Sequence, residues 1–262
     1  MSTSALQVAR TGLEAQDMRM RVIANNLANV STTGFKRDRA NFATLAYQDA
    51  RVAGQRSSTE TAYATGLNLG TGVQVQSTSQ IITQGAINTT NQSFDLALDG
   101  AGFFPVDLPG GQTGFTRAGN FSLSAERQIV TSQGYSVQPG ITIPEDASAV
   151  SISPDGIVSA TIDGQPDAVE LGQIQIASFA NPAGLHAIGD NFLVETSASG
   201  AAQPGAGGEA GRGNIRQGML EASNVNVVEE LVDMIEAQRA YEINSKMISA
   251  VDDMLRNASQ TL

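Results

Sequence analysis

Three aspartates, Asp155, Asp163 and Asp167, lie close together in a Ser/Thr-rich stretch of this 262-residue chain, and paired carboxylates flanking a sugar are the kit of a glycosidase. Asp155 and Asp163 each precede a glycine, where a tight turn asks for Asp, and the chain has no Trp to stack on sugar rings. The one histidine, His186, follows Asn181-Pro182-Ala183-Gly184-Leu185 among turn formers. As a general base it would need a nucleophile and an orienting acid, and the sequence offers neither. Gly70-Thr71-Gly72 and Gly100-Ala101-Gly102 are fragments of a phosphate loop with no helix after them, so they read as turns. With no Cys and one His, thiolate nucleophiles, disulfides, Cys-ligated metals and multi-His sites within one subunit are excluded. The expectation is of a protein that is not an enzyme and carries no cofactor or metal. The alternative from another class is a β-rich carbohydrate-active enzyme.

A different kind of chemistry, that of ending a helix, is concentrated in Asn25-Asn26-Leu27-Ala28-Asn29-Val30-Ser31-Thr32-Thr33-Gly34-Phe35-Lys36. Asn amides and Thr hydroxyls can satisfy the open backbone groups, Gly34 permits a positive φ, and Phe35 can anchor the exit. The helix being ended shows Leu6, Leu13, Met20 and Leu27 every seven residues, with Ala9, Ile23 and Val30 widening the stripe and Ser4 and Gln7 at capping-box spacing. The C-terminal region mirrors it: Val227, Met234, Tyr241, Ile248 and Leu255 recur at the same interval, Asn226 and Glu229 fit a capping box, and Glu242 with Lys246 form an i,i+4 pair. Gln238, Ser245 and Asp252 interrupt this second seam, which points to a helix pair completed by neighbouring subunits.

Between the helices the period falls to two, starting at Val73 and Val75, with turn signals at Gly100 to Gly102, Ser153-Pro154-Asp155-Gly156 and Asp163-Gly164; the Asp-Gly pairs suit type I′ hairpins. Gly200 to Gly208 reads as a flexible linker leading out of the β region. The expected fold is mixed α and β. Residues 1–30 and 226–262 form a helical, coiled-coil-like layer, residues 31–70 and 215–225 connect, and residues 71–214 make a central, mainly-β domain.

Charge divides the chain the same way. Met1 to Gly66 carries +3, Leu67 to Ala222 −10 and Ser223 to Leu262 −4, within a formal total of −11. Such a surface does not suit nucleic acid or anionic lipid and directs the chain to protein partners. No apolar run reaches the ~18 residues of a membrane helix, and Met1 to Arg10 lacks the pattern of a cleaved signal.

The stretch ending at Lys36 closely resembles the signature of the bacterial flagellar rod and hook family. The likeness continues in Ser223 to Glu230 and in Gln238-Arg239-Ala240-Tyr241-Glu242-Ile243-Asn244-Ser245-Lys246, which look like the family's C-terminal signature, and in Gly100 to Phe104 and Phe115 to Phe121. The motif positions carried over are Asn25, Asn26, Asn29, Gly34, Phe35 and Lys36, then Arg239, Tyr241, Glu242, Asn244 and Lys246. Tyr47 to Gly66 looks like the extra stretch carried by the family's distal-rod branch, with Tyr47 and Tyr63 at its ends and Arg51 and Arg56 as its basic residues. Two places depart from the family pattern: Pro105 follows the Phe pair, and Ser124-Ala125-Glu126-Arg127-Gln128 lacks the usual turn glycine.

The resemblance implies a subunit that polymerises helically into the distal rod, the periplasm-spanning drive shaft that transmits torque to the hook. The alternatives within the family are a proximal rod or hook protein. It also implies terminal helices around a central channel, type III export without a cleaved signal, and partners in further copies of the chain, proximal rod and hook subunits, ring proteins at the peptidoglycan and outer membrane, and the export apparatus.

Overall fold

The computed structural model describes residues 2–56, 63–162 and 167–260, without the side chains of residues 2–4, 255 and 258–260. The turn expected at Asp163-Gly164, Ser57 to Thr61 of the extra stretch, and the seam side chain of Leu255 therefore lie outside the described residues. The architecture is mixed: an N-terminal helix, a C-terminal helix and a β-rich region between them, in two compact units.

The first unit holds α1 (Ser2–Ala28), α2 (Val227–Gln260) and four strands, β1 (Asp38–Thr44), β2 (Tyr47–Arg51), β3 (Leu67–Gly70) and β4 (Val73–Gln80). At 1.5 Å per residue the helices run about 40 and 50 Å, far longer than the globular average. They pack along each other, and small residues decide how closely: Ala9 and Ala237 are buried, and a Cβ at Gly12 would stand 3.1 Å from the Asn244 amide nitrogen. The Asn226 side-chain oxygen accepts from the Val228 N–H at 3.1 Å and so caps α2. Strand β1 pairs with β4, and β2 pairs antiparallel with β3 as a separate two-stranded ribbon.

The second unit spans residues 29–37 and 80–225. Its core is built from inward-facing strand residues, Leu96, Leu98, Phe104, Ile129, Ile176 and Ile215, together with Ile174 between two strands, all buried. A second cluster joins Phe103, Phe115 and Leu193, with the Phe179 ring edge-on to Phe115 at 4.8 Å between centroids. The four-stranded sheet runs His186–Gly189, Phe192–Val194, Thr113–Thr116, Phe104–Asp107. Chain entry and exit are stitched side by side, because Ile87–Thr89 pairs with Met219–Glu221 and Leu96–Asp99 with Asn214–Gln217.

Several local expectations are corrected. Ser4 does not cap a helix, since α1 already runs from Ser2 and a cap must stand outside the helical turns. The Asp155-Gly156 turn is not type I′: only Gly156 has positive φ, at 95°, and the Gly156 N–H bonds the Ser153 carbonyl. Gly200 to Gly208 is not a linker. Gln203–Gly205 is a strand paired with Ile176–Ser178, and the Gly207 N–H bonds the Asp155 carbonyl; the glycines let backbone approach backbone where a side chain would clash. Pro105 fits its strand opposite Phe115, its carbonyl accepting from Gln138. At the turn lacking glycine, Arg127 takes φ 60° and is held there by its guanidinium on the Ile143 and Pro144 carbonyls at 3.0 and 2.9 Å.

The two units differ in how completely they bury their apolar residues, and this sets an expectation for the dilute monomer. Limited proteolysis should cut α1, α2 and the β1–β4 segment first and leave a resistant core of residues 29–37 and 80–225. Equal resistance along the whole chain would contradict it.

Candidate assembly interface

Along the helix pair, Leu6, Leu13, Met20 and Leu27 of α1 and Met234, Tyr241 and Ile248 of α2 are half-buried, whereas Val227 is exposed. The fully buried apolar positions are Ala9, Ala15, Ile23 and Ala237, so the closest packing lies off the heptad set, three of its four positions being alanine. Arg19 crosses from α1 to Asp233 at 2.8 Å and reaches Glu236 at 3.5 Å. Near the end of α1 the Asn26 amide does three things. It donates to the Asp38 carbonyl at 2.9 Å, accepts from the Asp38 N–H at 2.9 Å, and donates to Glu230 at 3.2 Å. One side chain therefore fixes both the start of β1 and the first turns of α2.

The motif residues separate into two groups. Asn26, Gly34, Phe35 and Lys36 are buried, while Asn25, Arg239, Glu242 and Lys246 are exposed; Tyr241 and Asn244 stand between, facing α1. Asn29 accepts from the Thr32 hydroxyl and lines a polar cleft of about 380 Å³ with Asn120 and Asp190.

Lys36 leads to the centre of the second unit. Its ammonium meets Glu221 Oε1 at 2.5 Å and the Thr83 carbonyl at 2.7 Å, and Arg117 holds Glu221 Oε2 at 3.2 Å and the Gly100 carbonyl at 2.8 Å. Glu221 Oε1 also accepts from the Gly85 N–H at 2.9 Å, and the Glu221 carbonyl accepts from Gly34 N–H at 2.8 Å. All three charged side chains are buried. Gly34 sits at φ 68°, and a Cβ there would stand 2.5 Å from the Arg117 backbone, so the turn admits only glycine. Asn224 closes the arrangement, accepting from the Arg37 N–H at 2.7 Å and donating to the Ile81 and Thr83 carbonyls. Burial pushes Lys36 and Arg117 below their ordinary pKa values, and pairing with Glu221 opposes that. Sequence reasoning found Lys36 but not Glu221, Arg117 or Asn224. The available signal was a lone Glu in Met219-Leu220-Glu221-Ala222 and a lone Arg in Phe115-Thr116-Arg117-Ala118.

The extra stretch has its Arg51 guanidinium 4.1 Å above the Tyr63 ring, and Tyr47, Arg56 and Tyr63 are exposed. In the second unit, Arg127 and Arg212 are turned onto backbone carbonyls and Arg216 onto Asp99, so its cations are consumed internally and its exposed charge is acidic. Asp155, Asp167 and His186 are exposed and far from forming a catalytic set: Asp155 belongs to its turn and His186 to an outer strand. Among the described residues no three His, Cys, Asp or Glu side chains converge as a metal site, and no helix is long and apolar enough to cross a membrane.

Three family descriptions match the chain: "Flagella basal body rod protein" over residues 6–36, "Flagellar hook protein FlgE/F/G D1 domain" over residues 97–160 and "Flagellar basal body rod FlgEFG protein C-terminal" over residues 216–261. The chain is similar to the flagellar basal-body rod protein FlgG of Caulobacter vibrioides, 50% identical over 257 residues covering 98% of each. To FlgG of Buchnera aphidicola subsp. Acyrthosiphon pisum it is 49% identical over 256 residues, again 98% of each. The flagellar basal-body rod protein FlgF of Caulobacter vibrioides is 33% identical over 245 residues, covering 92% of this chain and 90% of that one.

The buried cluster sets an asymmetry that denaturant unfolding can measure. Glu221→Gln leaves two buried cations without a counter-charge and should destabilise the second unit by about 3–5 kcal/mol. Lys36→Met leaves the Glu221–Arg117 pair intact, and Asn224 still serves the Thr83 carbonyl, so it should cost less than about 1.5 kcal/mol.

Asp38 supplies a pH dependence. Burial raises its carboxyl above the ordinary 3.8, so between 3.8 and the raised value the folded state holds more protons than the unfolded one. Stability must therefore fall as pH rises through that window, and the penalty is complete above it. Asp38→Asn should raise stability at neutral pH, with the advantage vanishing below pH 3.8, as thermal melts across pH would show.

Proposed function

The chain belongs to the bacterial flagellar rod and hook family, as a structural subunit of the distal rod of the flagellar basal body and not an enzyme, and from that premise we propose how it builds a shaft. Residues 1–30 and 226–262 form a coiled-coil-like inner layer in which each helix pair is completed by those of neighbouring copies. Residues 31–70 and 215–225 connect this layer to an outward β domain of residues 71–214. The observation that carries the proposal is on α2: Val228, Leu231, Val232 and Ile235 are 44 to 71% exposed although α1 already covers another side of the same helix. A helix apolar on more than one side is made to be surrounded.

A heterologous contact that does not close yields an open helical tube. Torque then crosses many modest contacts in parallel, through the Leu6, Leu13, Met20 and Leu27 seam and its α2 counterpart. The stretch 47–66, with Tyr47, Arg51, Arg56 and Tyr63, acts as a strut against a neighbour and stiffens the tube. Proximal rod and hook subunits meet its two ends. Rings at the peptidoglycan and outer membrane surround the acidic β domains, which repel nucleic acid, and the export apparatus delivers the chain without a cleaved signal.

Concentrated protein viewed by electron microscopy should form straight tubes; curved tubes would favour a hook subunit, and persistent monomers would refute the polymer. Met234→Asp puts a carboxylate on the seam and should abolish tubes and motility while circular dichroism shows the β domain still folded. Deleting residues 52–61 should leave export and polymerisation intact and yield tubes that bend, so rigid tubes from that deletion would place the stiffness elsewhere.

A further inference from the structure

A pocket of about 260 Å³ in the β-rich unit is walled by Ile82, Phe103, Phe179 and Pro182, with Gln84 and Arg117 as its long polar side chains. Phe179 stands edge-on to Phe103 at 5.9 Å between centroids, and the Arg117 guanidinium lies 5.4 Å from the centre of the Phe103 ring. Among the described residues no Asp or Glu lines it.

Arg117 brings an unfinished charge balance to this wall. It shares Glu221 with Lys36, and since none of the three side chains is more than 4% exposed, two buried cations face one carboxylate. Arg117 Nη1 donates to Glu221 and Nη2 to the Gly100 carbonyl, while the buried Nε–H has no hydrogen-bond partner among the described residues. A net positive charge held out of water is costly until an anion comes near it, and a buried donor is costly until it meets an acceptor.

We propose that this pocket binds a small monocarboxylate carried on an aromatic or branched apolar body, with the carboxylate turned to Arg117 and the body against Phe103, Phe179, Ile82 and Pro182. Each part of that ligand answers one observation. Its single negative charge matches the one positive charge left over, whereas a phosphate or dicarboxylate brings surplus charge against an apolar wall and an amine meets a cation. A neutral apolar molecule fills the walls and leaves the charge unanswered; chloride answers the charge and leaves the walls unfilled. The volume lies below the ~300–1,000 Å³ of drug-sized pockets, which limits the body to about one ring. Every lining residue belongs to the β-rich unit, so the site does not depend on the polymer.

Phenylacetate and its neutral isostere phenylacetamide are titrated into dilute full-length protein by calorimetry. The acid should bind at least about tenfold tighter than the amide. Lys36→Met separates charge from contact, because Lys36 does not line the pocket and its loss leaves the Glu221–Arg117 pair balanced. The preference for the acid should disappear in that variant while the amide binds as before. If Lys36→Met does not fold, Gln84→Glu adds a carboxylate to the wall and should weaken the acid at least about tenfold while sparing the amide. A preference that survives in either folded variant overturns the site. So does equal binding of acid and amide by the wild type, or no binding of the acid at millimolar concentration. Chloride or inorganic phosphate bound as tightly as the acid overturns it as well, since the pocket is then a bare anion hole.

Discussion

A single carboxylate, Glu221, holds the β-rich unit in register. Two cations are buried against it, Lys36 from the segment that leaves α1 and Arg117 from just beyond the strand Thr113–Thr116, and each also meets a backbone carbonyl. Neither cation has another anion among the described residues, so burying them without Glu221 is prohibitive. Their backbone partners draw in the chain around Thr83, Gly85 and Gly100, and Asn224 ties Arg37 to Ile81 within the same few turns of chain. Burial pushes Lys36 below its ordinary pKa, and the Glu221 carboxylate opposes that. A hydrophobic triplet could fill the same volume, but it would not hold the backbone at Thr83, Gly85 and Gly100 by hydrogen bonds as Lys36, Glu221 and Arg117 do.

With that unit closed on itself, the contrast with the helical unit becomes a statement about assembly. The β unit consumes its cations internally and buries two aromatic and aliphatic clusters. The helical unit leaves whole turns of α2 and a complete ribbon face in water. Apolar surface left open on long helices marks an interaction site, so burial separates a part finished by its own chain from the part that the proposed assembly would cover.

Legibility in the sequence followed the range of the interactions. Both helices, the Asn226 cap, the β character of the middle and the Gly34 turn were readable, because periodicity, capping and positive φ are local. The type of the Asp155-Gly156 turn was not, since a dipeptide does not say how many residues the loop takes up. Gly200 to Gly208 looked like a linker on composition, yet its glycines serve close backbone approach to Asp155, which only the folded partner reveals. Lys36 was visible within its motif, but Arg117 and Glu221 were ordinary charged residues until three distant segments met. Arg127 in a turn that usually asks for glycine shows the same limit, for the carbonyls that hold its strained backbone lie sixteen and seventeen residues away.

The contact between Lys36 and Glu221 spans 185 positions of chain, and Arg117 to Glu221 spans 104. Contacts this non-local form late, since loop closure must precede any gain from them. A chain emerging N-terminus first from a ribosome carries both cations long before their carboxylate appears. Until then neither cation has its counter-charge, and burying either one is costly. The order of residues thus sets the order of closure: the Glu221 contacts form only after most of the chain is made, and α2 follows directly behind that residue.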